Sequence, residues 1–385
     1  MIKTIVAHTA EIDDIEAAVG SILAQIDPEN SLCANSVGIM SCNCDFVFSG
    51  AMSAISKALP FDVVGTVTSA LAVNGECGTF LLSLMVLTSD DAEFVTRLTP
   101  SLVSDPCASI KKAYGEAAAE KPAAPALILT YAPFMVENAG DEYADAFTEV
   151  SGGVPCFGTL AIDDTDTFEN SSLLFNGANY FDRMAMVLIY ADINPRFLIA
   201  TISPDKILPK GAVVTKSERH IIKELNGGPV DEYFESLGLL ESSEMQYGMA
   251  SLPFMLDYGD GTPPVSKVFI GRTPEKYAIC AGIMPEGANL YIGVFDKADV
   301  LLTTGSALEK ADIGGASCAL MHSCISRNMS LGGDSTAEME LVRKLMGDKI
   351  PFVMSYSGGE MCPTQVSGSK AVNRFHNNTF IVCII

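Results

Sequence analysis

The chain has 385 residues, 48% of them hydrophobic and 18% charged, which excludes a disordered protein; at about 150 residues per domain, its length accommodates two or three compact units. A formal charge of -23 sets the surface against phosphate backbones and excludes a nucleic-acid partner. The apolar runs, including "MAMVLIYA" at Met184 to Ala191, fall far short of the ~20 residues that span a bilayer, and the opening residues lack a secretory pattern, so a cytoplasmic protein without membrane insertion is expected.

The opening "IKTIVAHT" reads as a strand, and "EIDDIEAAVGSILAQI" as an amphipathic helix with Ile12, Ile15, Val19, Ile22, Leu23 and Ile26 on one face. Three segments then repeat one order of elements. Each starts with an apolar strand: "SVGIMSC" from Ser36, "PALILTY" from Pro125 and "CALMHSC" from Cys318. A helical stretch follows, "SGAMSAISKAL" from Ser49, "DEYADAFTEV" from Asp141 and "STAEMELVRKLMG" from Ser335, the last with Ser335 or Thr336 placed to cap it. Second strands follow at Phe61, Val154 and Ile350, and an apolar strand closes each copy. This alignment sets Ser41, Thr130 and Ser323 in one register, and Thr66, Thr159 and Ser355 in another. About thirty residues between the two strands is the length of a right-handed crossover.

Polar residues and glycines gather where these strands end: Asn43, Ser69, Asp163, Asp164 and Ser357 to Glu360. In open α/β sheets that edge is where ligands bind, which predicts a pocket there. Beyond Asn194-Pro195 the pattern turns to short strands, a hairpin and a helix opening at Pro229 or Val230. The reading is a mixed α/β protein of two layered domains, residues 1–195 and 196–385, built partly from repeated strand-helix-strand units.

The eleven cysteines sit inside apolar strands and read as reduced, buried thiols. Ser357, Glu360 and His376 have the residue types of a hydrolytic triad, although "SYSGG" is no nucleophile elbow. His322, within an apolar strand, reads as a core histidine. Arg327 suits a carboxylate, either that of Glu360 or one on a ligand.

"ALMHSCISRNMSLGG", "IPFVMSYSGGEMCP" and "FHNNT", with "PCFGTLAIDD" and "RTPEKYAICAGIMPEGANLYIGVFDKAD" upstream, resemble the FIST family over nearly the whole chain. The sequence departs from the family pattern at Met354 and Thr159, where glycines are usual. The resemblance implies a non-catalytic sensory module for a small ligand, an amino acid or related carboxylate, signalling through a partner protein in trans because the chain carries no recognisable output segment. It places a C-terminal pocket at Cys324, Arg327, Tyr356, Ser357, Gly359, Glu360, His376, Asn377 and Thr379. There Arg327 would hold a carboxylate and Glu360 an amine, with Tyr356 as the apolar wall. The alternatives are a haem sensor, with His376, His322 or a cysteine as axial ligand, and a hydrolase using Ser357 and His376.

Overall fold

The computed structural model describes residues 1–135, 138, 140–165, 167–238, 253–368 and 370–385. It is a mixed α/β fold with 25% helix and 37% strand. The three repeats are present as three parallel strand pairs: Asn35–Cys42 with Asp62–Val67, Leu127–Ala132 with Cys156–Leu160, and Ala319–Cys324 with Phe352–Ser357. Beside each first strand runs the antiparallel closing strand, Leu82–Ser89, Ala185–Tyr190 or Phe380–Ile384. An outer strand preceding each repeat, Lys3–Thr9, Glu93–Leu98 or Arg196–Ala200, completes that side.

The other edge of each sheet is finished by a hairpin from a different repeat. Leu71–Val73 and Glu76–Gly78, from the first repeat, add to the third sheet. Leu173–Phe175 and Ala178–Tyr180, from the second, add to the first sheet. Glu360–Ser367 and Lys370–His376, from the third, add to the second sheet. The exchange closes a ring of three six-stranded sheets. N-terminal and C-terminal halves thus complete one another's sheets.

Strands buried on both faces read as continuous apolar runs, and these strands do. Val37 and Ile39, Leu127 and Leu129, Leu320 and Val353 point inward to one shared core. Their neighbours Met40, Ile128 and Met321 point outward, under helices. Those helices include Ile15–Ile26, capped by Asp14, and Pro106–Ala118, capped by Asp105. Ala337–Met346 differs from expectation, because its N-cap Thr336 is already helical and makes no side-chain cap bond.

The ladders correct the predicted register of the first strands. Gly65, Gly158 and Met354 are equivalent, since each lies in a second strand directly before the residue set Thr66, Thr159 and Ser355. They pair with Met40, Thr130 and Met321, so the next residues, Ser41, Tyr131 and His322, are the true equivalents. Matching hydroxyl residues by type shifted two copies by one position in opposite senses. A Cβ at Gly158 would lie 2.1 Å from Thr130 O, so glycine there serves the approach of the neighbouring strand rather than of a ligand.

Between the third outer strand and the helix Lys297–Glu309 lies an additional antiparallel sheet of eight strands, spanning Ala212–Ile292. Phe234, Phe254 and Phe269 pack its own core. Its buried fastening to the ring is an ion pair: the fully buried Lys267 Nζ donates to Asp141 Oδ1 at 2.7 Å and to Phe375 O at 2.8 Å, with the more exposed pairs Arg219–Glu142 and Arg374–Asp260 beside it. Asp141 Oδ2 accepts from Ile283 N at 2.8 Å, closing the clamp from the other side. Removing one partner of a buried pair strands the other charge, so Lys267→Met should cost about 3–5 kcal/mol in chemical denaturation. Lys267→Met with Asp141→Asn should cost less than Lys267→Met alone.

Candidate functional site

The three parallel pairs end at one side of the ring, where the additional sheet covers them. Between lies a cavity of about 500 Å³. The first repeat contributes Ser69 and Ala70, the second Phe134, Ile162 and Phe168, and the third Cys324, Ile325, Ser326, Met329 and Asn377. Phe269, Ile270 and Ala281 form the roof from the additional sheet. Five of the six paired strands send their carboxyl-end loops to the cavity, because the strands are parallel within each pair and the pairs are related by the ring; the loop after Asn35–Cys42 adds no lining residue.

Most of the wall is apolar, yet three of its residues carry a buried side-chain atom with no hydrogen-bond partner in the protein: Ser69 Oγ, Ser326 Oγ and Asn377 Oδ1. Such an atom left unpaired costs about 1–3 kcal/mol, so this is where a ligand is best rewarded. Asp164 stands exposed on the rim and accepts from Asn43 Nδ2 at 3.2 Å. Asp163 is buried and serves its own loop, accepting from Thr165 N at 2.8 Å. Among the described lining residues there is no lysine or arginine.

The structure divides the nine residues expected of the site. Cys324 and Asn377 line the large cavity. His376 and Thr379 line a separate one of about 300 Å³. Ser357 and Glu360 are fully buried. Thr159 Oγ1 donates to Ser357 Oγ at 2.7 Å, and Ser357 Oγ donates to Gly359 O at 2.7 Å. Thr379 Oγ1 donates to Glu360 Oε2 at 2.8 Å, while Glu360 Oε1 is unpartnered. Burial pushes the Glu360 carboxyl up to about 8, despite the hydrogen bond from the Thr379 hydroxyl. Burial, then the charge of Glu360, pushes the Cys324 thiol up to about 12.

Gly359 has φ +144°, and a Cβ there would meet the Phe375 ring at 2.2 Å. Its freedom serves that packing, and Gly358 is the glycine on the cavity wall.

Arg327 does not reach the cavity. Its guanidinium is wholly buried and donates to Glu338 Oε1 from Nε at 3.0 Å and Nη2 at 2.9 Å, to Thr304 Oγ1 at 2.7 Å and to Val300 O at 3.1 Å. Its ring neighbour is Phe295, at 5.2 Å. The partner is therefore Glu338, neither Glu360 nor a ligand carboxylate. Tyr356 packs in the outer cluster with Met339 and Met354, and burial, then the nearby Glu338 charge, raises its phenol.

The triad geometry is not assembled either. His376 Nε2 donates to Cys362 O at 3.1 Å, and Ser357 bonds to Thr159 and Gly359. His322 lies in the inner core as expected, stacked on Phe157 at 5.3 Å with Nδ1 2.9 Å from Ser355 Oγ. Burial holds both imidazoles down at about 3, so they stay neutral. Sequence reasoning left Ser326, Phe134 and Phe168 unnamed. Ser326 carried a signal, standing two residues beyond the strand end marked by Cys324.

Comparison with known families gives a match to the FIST N domain over residues 36–228 and to the FIST C domain over residues 229–363. The chain belongs to the FIST family, whose domains are small-ligand-sensing modules of signal transduction. The curated proteins give no match. Among solved structures, a cyanuric acid hydrolase from A. caulinodans aligns at a TM-score of 0.37 and 11% identity, over 99% of each chain. PurLQS from Thermotoga maritima aligns at 0.19 and 12%, over 100% of this chain and 72% of that one. Both scores are too low to bear on this chain's fold or chemistry.

Glu360 yields a test of the buried network. Its carboxyl titrates near 4.5 when unfolded and about 8 when folded, so between those values the unfolded chain releases a proton that the native state keeps. Its contribution is whole below about pH 4.5 and is lost as pH rises through about 8. Glu360→Gln cannot ionise, so unfolding midpoints followed across that window should decline less steeply in the variant; parallel profiles would refute the assignment.

Proposed function

We propose that this chain is a non-catalytic cytoplasmic sensor that binds a small, amine-bearing molecule of amino-acid size in the shared cavity and signals through a partner protein. The observation that carries this reading is the set of unpartnered atoms Ser69 Oγ, Ser326 Oγ and Asn377 Oδ1 on an otherwise apolar wall. A pocket of a few hundred Å³ with few convergent polar groups is the usual form of a small-molecule site. Asp164 supplies negative charge at the rim for an amine. Ser69 and Ser326 supply neutral hydroxyl donors, which serve the acceptor end of an amino acid. A carboxylate without an amine finds no cation among the described lining residues, which places such ligands second.

Haem does not fit the residues present. His322 is bonded to Ser355 inside the core, and His376 faces the smaller cavity. The Cys324 thiol is held protonated, and the larger cavity offers propionates no described lysine or arginine.

A thermal-shift screen should find amine-bearing ligands that stabilise the protein, by about 2.7 kcal/mol at a hundredfold excess over the dissociation constant. Ser326→Ala and Asn377→Ala should each diminish the shift. Stabilisation confined to carboxylates lacking an amine, or a shift that survives both substitutions, would overturn the proposal.

A further inference from the structure

The smaller cavity, of about 300 Å³, lies where the outer strand Arg196–Ala200 meets the hairpin Glu360–Ser367 and Lys370–His376. Its apolar wall includes Phe197, Ile199 and Pro264, and no charged side chain is among its described lining residues. The segment His376–Thr379 separates it from the larger cavity, with Asn377 on one side and His376 and Thr379 on the other.

Its polar atoms form a pattern. Ser266 is 1% exposed, and its Oγ is buried with no partner in the protein; Thr201 Oγ1 is likewise unpartnered. Both hydroxyls are free to donate. Three further groups can only accept there. Thr379 commits its hydrogen to Glu360 at 2.8 Å, and Thr364 commits its own to Val372 O at 3.2 Å. His376 Nε2 faces the Cys362 carbonyl at 3.1 Å, and a carbonyl only accepts, so Nε2 carries the proton and Nδ1 keeps its lone pair.

We infer that this cavity is a second binding site, for a small neutral molecule bearing a carboxamide or urea group. The ligand N–H groups go to His376 and the two threonines with committed hydrogens, and its carbonyl goes to Ser266 and Thr201. A full charge would enter without a counter-charge, which apolar surroundings penalise. This site is independent of the amine site.

Benzamide is a suitable probe, with a flat ring for the apolar wall. Isothermal titration of the full chain should show benzamide binding that neither benzoate nor benzylammonium displaces. Ser266→Ala and Thr201→Val should each weaken it about tenfold, equivalent to about 1.4 kcal/mol, while Ser326→Ala in the larger cavity should leave it unchanged. Should Ser266→Ala fail to fold, Thr201→Val, which keeps the side-chain shape, carries the test. Absence of benzamide binding, displacement by either charged analogue, or affinity insensitive to the substitutions tested would overturn the inference. Because the amine site is read through Ser326→Ala and Asn377→Ala, either proposal can fail alone.

Discussion

The structure depends on the cyclic exchange of hairpins. Each repeat's parallel pair has one edge that its own chain segment leaves open, and an open edge of unpaired backbone groups is costly and prone to association. Another repeat's hairpin fills it, so no repeat completes its own sheet, and the set of three closes only when all are in place. Two consequences follow. The inner faces must share one core, with Val37, Leu129 and Leu320 in the same cluster. The carboxyl ends must also gather at one side, which makes a single shared cavity rather than three shallow crevices.

Polar groups at that side fall into three kinds by how they are satisfied. Arg327 with Glu338, and Lys267 with Asp141, are buried ion pairs that join elements to one another, with Arg327 Nη1 left unpartnered. Ser357, Thr159 and Thr379 bond within the protein, and Glu360, with one oxygen unpartnered, titrates at about 8. Ser69, Ser326 and Asn377 keep atoms with no partner in the protein, and the proposed ligand would satisfy them. The proposed binding uses the third kind, since breaking a buried ion pair to accept a ligand would cost more than the ligand returns.

Much of the fold was legible in the sequence because strands buried on both faces leave unbroken apolar runs, and three such runs recurred with helices between them. The register was not, because hydroxyl residues were matched by type while the ladders equate Ser41 with Tyr131 and His322. The hairpin exchange left no local mark: Leu71–Val73 reads the same whether it pairs at home or with Phe352–Ser357. For the site, the strand-end rule named Ser69, Asp163, Asp164 and Gly358 of the lining, and the family resemblance added Cys324 and Asn377. The residue types Arg327, Glu360 and His376 suggested ligand chemistry, but a sequence does not show that Glu338 takes the arginine or that Asn377 and His376, though adjacent, face different cavities.

The central claim is that one ligand touches all three repeats and the covering sheet together. Intermolecular nuclear Overhauser effects from a bound amine to assigned methyl groups test it directly. The account predicts simultaneous contacts to Thr79, Ile162, Met329 or Met339, and Ile270, all of which line the shared cavity. Contacts confined to a single repeat, or to Ile199 and Thr201 of the smaller cavity, would contradict it.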